Sequence, residues 1–266
     1  MKTFAKCILL IGTPLLIVSC TSTPPLTLTP LDSPLKAAGF ILLPMTDSKM
    51  TPGSVIEVKR DSTGATSVRW LADIRKCGLK NSDLGFTQGT SGAISSDTNY
   101  SADVGATLAI LSIKAQIQPQ LQAAKTVTVK VDKDGADAID LIATSAWFSD
   151  PGHIAAMPAI CKTFLSQPDT YLVNEAFRIS SGSYTFKDSA GAKINLSALS
   201  GQNISANAGV SAAADGSITI ASDVYLAVKD VKQLSLGAFT TMGQTGPSTI
   251  PSADALLATG AVKVSQ

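Results

Sequence analysis

The second half of the chain alternates apolar and polar residues along several short segments. This alternation is typical of antiparallel strands that have one buried face. It predicts strands in residues 126–131, 136–142, 170–179, 183–199 and 216–229. The apolar positions expected to face the core are Tyr171, Val173, Phe177 and Ile179 in one strand and Ile218, Ile220, Val224, Leu226 and Val228 in another.

Turn residues divide these segments into hairpins. Asp134-Gly135 predicts a turn after residues 126–131, and Asp188–Gly191 predicts another within 183–199. In the first half, Thr51-Pro52-Gly53 separates the strands 40–44 and 53–60. Residues 60–64 predict a hairpin connection after the second of these strands.

Helices are predicted where caps and stop signals flank a helical spacing of apolar residues. A first helix begins at Asp32 or Ser33 and ends at Gly39, and a second covers residues 67–78 and ends at Gly78. A third opens at Asp150-Pro151, and Pro158 must kink it or restart it. The remaining helix is expected at 253–260.

Residues 100–117 fit two interpretations. Their alternation fits a long strand with a bulge at Ile110-Leu111, whereas a buried helix could carry the same residues. Residues 80–99 predict a polar loop, and 261–264 a last strand. Together the elements predict a single α+β domain, mainly an antiparallel twisted sheet of hairpins with a few short helices.

The N-terminal residues have the three parts of an export signal. Lys2 and Lys6 precede an apolar run that ends at Val18 and Ser19, and Cys20 comes next. The run is shorter than the ~20 residues that span a bilayer, and it contains a proline. The sequence Ile17-Val18-Ser19-Cys20 resembles the lipobox of bacterial lipoproteins, in which the cysteine becomes the acylated first residue of the mature chain. An ordinary cleaved signal is the alternative.

The segment after the cysteine predicts a spacer. Residues 21–34 contain four prolines and no basic residue, and an extended proline-rich chain of this length would reach ~40 Å. The predicted division is therefore a signal peptide (1–19), a lipidated Cys20 with its tether (20–34), an α+β domain (35–237) and a C-terminal tail (238–266). Thr at position 21 implies, by resemblance to lipoproteins of Gram-negative bacteria, an outer-membrane location, on either the periplasmic face or the cell surface.

The charge balance bears on nucleic-acid binding, and the cysteine content bears on disulfide formation. Of the 21 basic side chains, Lys2 and Lys6 lie in the signal, which leaves 19 against 20 acidic ones. This balance gives no basic excess for nucleic-acid binding. With Cys20 acylated, Cys77 and Cys161 remain in an oxidising compartment, where we expect them to form a disulfide; two separate buried thiols are the alternative.

Catalytic and metal-binding patterns are weak. His153 is the single histidine, and a hydrolase relay would need it beside a serine such as Ser149; a surface residue in the first turn of a helix is the expected role. A zinc site is not expected from one histidine and two distant cysteines. The acidic residues Asp132, Asp134, Asp137 and Asp140 lack the spacing of a calcium loop. We therefore predict no enzyme activity, cofactor or metal.

The order of elements resembles that of bacterial gasdermins, which are pore-forming proteins with a twisted antiparallel sheet. The resemblance is carried by the stretches "LKAAGF", "PGSVIEVKRDSTGA", "WLADIRKCGL", "TVTVKVDKDGADAIDL", "DTYLVNEAFRISSGSYTF" and "SDVYLAVKDVKQL". It implies that residues 92–131 and 171–199 could refold into membrane-crossing hairpins, and that 238–266 would be an inhibitory tail. If the protein forms pores, the resemblance also implies that several copies of the chain associate.

Two features depart from that family. Gasdermins act from the cytosol, whereas this chain has an export signal, and near the first helix it offers mainly Lys36 and Lys49 for acidic lipids. The sequence therefore predicts a non-enzymatic, membrane-anchored envelope lipoprotein with a binding or structural role toward an unidentified envelope protein or ligand. A gasdermin-like pore former is the alternative.

Overall fold

A computed structural model describes residues 28–42, 50–60, 62, 66–233 and 262–264. The strands are β1 (Thr29–Pro30), β2 (Ile41–Leu42), β3 (Ser54–Arg60), β4 (Thr66–Asp73), β5 (Thr87–Gly89), β6 (Asn99–Ala102), β7 (Thr126–Ala138), β8 (Thr170–Lys187), β9 (Val210–Ala212), β10 (Ile218–Ile220), β11 (Val224–Gln233) and β12 (Val262–Val264). The helices are α1 (Asp32–Ala37), α2 (Val104–Ile110), α3 (Gln118–Leu121), α4 (Leu141–Phe148), α5 (Pro151–Ala156) and α6 (Ala159–Leu165), with 3-10 turns at Ile74–Cys77 and Ser197–Leu199. The predicted single-domain α+β class is confirmed.

Strand β8, 18 residues long, is the centre of one sheet. Along one edge it pairs first with β3 and then with β7, and along the other edge first with β11 and then with β10, all antiparallel. Leu172, for example, lies between Val55 of β3 and Lys232 of β11. β8 therefore pairs directly with four other strands.

The sheet continues outward from these strands. One side runs from β7 through β6 to β1, and the other runs from β3 through β4 to β12. The two outer pairs, β1 with β6 and β12 with β4, are parallel. The remaining short strands are β2 on β11, β5 on β7 and β9 on β10.

Three hydrophobic clusters pack against the sheet. The largest includes Phe177, Phe186 and Leu121 and lies with α1, α2 and α3. A second contains Ile56, Tyr171 and other residues of β3, β4, β8 and β11. The third contains Cys77, Phe148, Cys161 and Leu172, and it fixes the helices α4 to α6 to the β8 end of the sheet.

The turn predicted at Asp134-Gly135 is wrong. β7 runs through both residues, with register shifts between Val131 and Asp134, and Gly135 pairs with Arg178 of β8. The glycine serves close packing instead of a turn, because a Cβ at this position would lie 2.6 Å from Nη2 of Arg178 and 2.7 Å from the carbonyl oxygen of Gly89.

The helix predicted over 67–78 is also largely wrong. Residues 66–73 form β4, and only Ile74–Cys77 turns as a 3-10 helix. Pairing with β3 outweighs the helical spacing of the apolar residues, because seven of the eight residues of β4 find a partner on β3. Gly78 ends the turn as predicted, with φ of +107°.

Of the two interpretations of residues 100–117, the strand holds before Asp103 and the helix holds after it. β6 ends at Ala102, and Asp103 then caps α2 by accepting a hydrogen bond from the Ala106 amide at 2.8 Å. The helix interpretation is therefore correct for 104–110. The first helix begins after Leu31, which is its N-cap in place of the predicted Asp32 or Ser33.

Other sequence predictions are confirmed by the structure. The chain restarts α6 at Pro158, which is its N-cap, one of the two outcomes predicted for this proline. β3 and β4, on either side of the hairpin connection predicted at 60–64, pair antiparallel, although the sequence predicts a helix in place of β4. The core-facing positions predicted in 216–229 are all buried, although residues 221–223 separate β10 from β11. The predicted signal, Cys20 and the helix at 253–260 lie outside the described residues.

Candidate ligand-binding cleft

An open cleft of about 580 Å³ lies where the 3-10 turn after β4 faces the helices α4 and α5. Its lining residues are Arg75, Lys76, Cys77, Gly78, Lys80, Asp83, Trp147, His153, Ala156, Met157 and Pro158. A volume of this size falls in the usual range for small-molecule sites. Cationic side chains come from the segment 75–80, and aromatic and apolar ones from the helices.

A disulfide forms the base of the cleft. Cys77, at the end of the 3-10 turn, is joined to Cys161 of α6, and both residues are only 2% exposed. The bond ties the segment 75–80 to the helical layer across a sequence separation of 84 residues. The disulfide therefore links the backbone that carries the cleft's cations to the helical layer that carries its aromatic side chains.

Arg75 is held in place by several hydrogen bonds. Its Nε donates to Oδ1 of Asn81 at 2.6 Å, and its Nη1 donates to the carbonyl oxygen of Pro52 at 3.0 Å and to Oδ1 of Asp73 at 3.1 Å. Its guanidinium carbon lies 5.5 Å from the centre of the Phe86 ring. Arg75 thus stabilises the loop as well as lining the cleft.

Lys76 and Lys80 are the cations of the cleft whose ammonium groups interact least with other charged groups of the protein. Both residues are exposed, and neither ammonium group forms an ion pair with the part of the chain that the structure describes. Lys76 lies 5.9 Å from the centre of the Trp70 ring, a cation–π distance. The Asp83 carboxylate accepts a hydrogen bond from the Lys80 backbone amide at 2.8 Å.

Two stacked aromatic rings form one wall. The imidazole of His153 lies parallel to the Trp147 indole, with ring centres 4.6 Å apart and an interplanar angle of 13°. His153 Nδ1 lies 3.1 Å from the Trp147 carbonyl oxygen, so this nitrogen donates in the tautomer that satisfies the contact. Phe148 packs edge-on against the indole at 5.2 Å. The stack is therefore a fixed aromatic surface at the edge of the cleft.

His153 lies on the first turn of α5, as predicted. Its Nδ1 lies 3.9 Å from Oδ2 of Asp150, and its side chain is 45% exposed. The hydroxyl of Ser149 donates to the carbonyl oxygen of Ser145 at 2.8 Å. This geometry gives His153 a structural contact with Trp147 and an exposed aromatic face.

The acidic residues of 132–140 separate in the structure. Asp132 pairs with Lys130, Asp134 accepts from Ser91, Asp137 pairs with Arg178, and Asp140 caps α4 at the Ile142 amide. Within the described residues, no group of three or more histidine, cysteine or acidic side chains could hold a metal ion.

A second charged arrangement lies on β7, β8 and β11. The Arg178 guanidinium donates to both carboxylate oxygens of Asp137, at 2.8 and 3.2 Å. Tyr225 donates its hydroxyl to the same carboxylate at 2.6 Å, and Asp223 accepts from Arg178 at 3.0 Å. Every charged group here has an internal partner, which marks a structural network rather than a binding site.

The network shifts the pKa of two of its members. Burial, reinforced by the hydrogen bond to Asp137 and by its charge, raises the pKa of Tyr225 above its ordinary value. The pKa of Arg178 is also raised; burial opposes the rise, but the hydrogen bond and charge of Asp137 outweigh it. Both groups therefore stay protonated around neutral pH.

Sequence reasoning missed most of the cleft. The cysteines and His153 were singled out, whereas Lys76, Lys80 and Trp147 were not. One signal was available: the run "RKCGLK" places three cations within six residues around a cysteine. The aromatic wall had no such signal, because the contact between α4 and α5 depends on the tertiary fold.

Comparisons with known proteins give little further identity. No protein-family model and no curated protein matches the chain. Among solved structures, a bacterial gasdermin from Bradyrhizobium tropiciagri resembles it with a TM-score of 0.35 and 16% sequence identity, over 73% of this chain and 82% of that one. This is a weak structural likeness.

The described α-helices contain four to eight residues each. None of them combines the length and the apolar character that a membrane crossing requires.

Proposed function

We propose that this protein is a lipid-anchored protein of the bacterial outer membrane whose α+β domain binds a ligand or partner without catalysing a reaction. The observation that carries the proposal is the disulfide between Cys77 and Cys161. Disulfides persist in oxidising compartments such as the periplasm and the cell surface. The lipobox ending at Cys20 supplies the anchor that would keep the protein there.

The start of the fold supports a tether between the anchor and the domain. Thr29–Pro30 pairs with β6, and α1 begins at Asp32, so the last residues of the predicted spacer are part of the folded body. The proline-rich residues 21–28 remain between Cys20 and the sheet. At ~3 Å per residue they would hold the domain ~25 Å from the bilayer surface.

The anchor is tested by replacing the proposed acylation site. The variant Cys20→Ser should lose metabolic labelling by palmitate and keep its leader uncleaved. The variant Cys7→Ala, which changes a cysteine inside the apolar run, is the control and should behave as the parent does. Unchanged processing and labelling of Cys20→Ser would contradict the proposal.

A pore former is the second candidate, and one observation favours it. The described C-terminal residues Val262–Val264 pair with β4 at the edge of the sheet, so the end of the chain is attached to the fold. Such an attachment would suit a tail that restrains the sheet. In this case alone, we expect the protein to self-associate on a membrane.

Dye-loaded liposomes separate the two candidates. The intact protein and a form cleaved after residue 237 are added to vesicles that contain anionic lipids. Leakage caused by the cleaved form only would support the pore former, and intact vesicles with both forms would support the binding protein.

A further inference from the structure

We propose that the cleft beside the Cys77–Cys161 disulfide binds an anionic saccharide, a sugar chain that carries carboxylate or sulfate groups. The inference rests on the proposed binding function and names the class of ligand. It depends on three properties of the cleft: its charge, its aromatic wall and its rigidity.

The charge of the cleft favours an anion. Its lining contains three permanent cations, Arg75, Lys76 and Lys80, and one carboxylate, that of Asp83. Asp83 already accepts a hydrogen bond from the Lys80 amide, and Arg75 is partly neutralised by Asp73. Neither the ammonium group of Lys76 nor that of Lys80 is paired with a carboxylate among the described residues; that of Lys76 lies against the Trp70 ring, and both side chains are exposed and can turn toward a ligand.

The local excess is distinct from the overall charge. The whole chain has a formal net charge of only +1, so the cations of the segment 75–80 are not part of a generally basic surface. A nucleic acid would require a longer basic track than one cleft supplies. The charge therefore suits a short ligand with one or two acidic groups.

The aromatic wall favours a ring. Trp147 and His153 are stacked nearly parallel and leave the imidazole side of the stack accessible, while Met157 and Pro158 add apolar surface nearby. The C–H face of a sugar ring can cover such a surface while its acidic groups reach the lysines. A simple inorganic anion would use the charges and leave the wall exposed, so the two features together indicate a ring that bears a negative charge.

The disulfide explains how the site can bind without rearrangement. Lys76 directly precedes Cys77, and Gly78 ends the 3-10 turn in a left-handed conformation before the chain reaches Lys80. The bond to Cys161 joins this turn to α6, which shares a hydrophobic cluster with Phe148 of α4, the neighbour of Trp147. Less ordering is then required when a ligand binds, which increases affinity.

Isothermal titration calorimetry on the full acylated protein in a neutral detergent tests the proposal. The probes are digalacturonate, the neutral digalactose and the ring-free polyanion citrate. Digalacturonate should bind at least tenfold more tightly than either of the other two. Equal binding of digalacturonate and digalactose, preference for citrate, or binding of no probe would overturn the proposal.

Variants locate the binding in the cleft. The double variant Lys76→Gln/Lys80→Gln should weaken digalacturonate binding about tenfold, and His153→Ala should weaken it while changing citrate binding less. Lys125→Gln is the matched control, because Lys125 is exposed and lies outside the cleft. Circular dichroism verifies that each variant is folded, and an unchanged affinity in the folded double variant would overturn the proposal.

The lipid-anchor proposal and the saccharide proposal can be contradicted separately. Cys20→Ser should bind digalacturonate as the parent does, since residue 20 is far from the cleft in sequence and precedes the described fold. Unchanged acylation and processing of Cys20→Ser with retained binding would contradict the lipoprotein proposal alone. Normal anchoring with no binding of digalacturonate would contradict the saccharide proposal alone.

Discussion

The guanidinium of Arg178 lies directly over Gly135, its partner on the neighbouring strand, and uses the space that any side chain at position 135 would fill. This placement lets Arg178 reach both carboxylate oxygens of Asp137, which is itself fully buried. A glycine in the interior of a strand weakens the strand, so its presence indicates a close approach. The pair thus accounts for a residue that the sequence suggested was a turn.

Replacing Gly135 should show the cost of filling that space. The variant Gly135→Ala places a Cβ 2.6 Å from Nη2 of Arg178 and 2.7 Å from the Gly89 carbonyl oxygen, and we expect the free energy of unfolding to fall by about 2–3 kcal/mol. Urea denaturation measures the change. The control is Gly105→Ala in α2, where the nearest atom lies at 3.4 Å and the effect should be between zero and a gain of about 1 kcal/mol. Equal effects would contradict the packing argument.

The two carboxylates that contact Arg178 should differ in their importance. Asp137 has a side chain that is 0% exposed, whereas that of Asp223 is 46% exposed. Asp137→Ala leaves a largely buried cation with only the exposed Asp223 as a charged partner and should lower the free energy of unfolding by about 3–5 kcal/mol. Asp223→Ala should lower it by less than about 1 kcal/mol, as expected for an exposed ion pair.

Chemical denaturation of both variants at neutral pH decides the question. A similar loss for Asp137→Ala and Asp223→Ala would mean that solvent reaches the Asp137 pair. The variant Tyr225→Phe adds a third measurement, because it removes only the hydrogen bond to Asp137 and should cost about 1 kcal/mol.

Alkaline pH should destabilise the fold through Tyr184. Burial raises the pKa of this phenol above its ordinary value near 10. Above that value the unfolded chain loses the proton while the folded chain keeps it, so the free energy of unfolding falls by ~1.4 kcal/mol per pH unit for this residue. Below pH 9 the same group is neutral in both states and contributes no slope.

The variant Tyr184→Phe should remove that part of the slope. Urea denaturation between pH 9 and 11 compares the parent with the variant, and a second series between pH 6 and 8 serves as the control. Parallel curves in the alkaline series would show that Tyr184 is accessible to solvent in the folded protein.

The Cys77–Cys161 disulfide should contribute strongly to stability. A bond across 84 residues restricts the unfolded chain, and the chain-entropy relation gives about 4–5 kcal/mol for a loop of this length. The double variant Cys77→Ser/Cys161→Ser should lose a stability of this order in urea. Mass spectrometry after alkylation without reductant should find no modified Cys77 or Cys161, and alkylation of both would contradict the pairing.

The sequence predicted a strand best where the alternation of apolar and polar residues within that strand was enough to indicate its buried face. The positions Val224, Leu226 and Val228 alternate and are buried, as expected for a strand with one face on the core. Asp134-Gly135 was misread because its dipeptide favours a turn, while the actual reason for glycine lies on another strand, at Arg178. Local propensity contains no information about that neighbour.

The same limit applies to the cleft. A pairing of Cys77 with Cys161 could be expected, because both remained once Cys20 was set apart as the acylation site. The distance between the cations of 75–80 and the rings of Trp147 and His153 could not, since it depends on how α4 and α5 pack on the sheet. Tertiary packing forms the site, and the sequence singled out only the cysteine pair and His153 among the residues around it.

The central place of β8 has a consequence for how the polypeptide matures. β7 is synthesised before β8 and lacks its longest strand partner until residues 170–187 have emerged, and β3 has only β4 beside it until then. Such non-local pairing makes folding slow. On the proposed export route, a sheet that closes only after its central strand has been synthesised would leave the polypeptide unfolded, and able to pass through a translocation channel, for most of its synthesis.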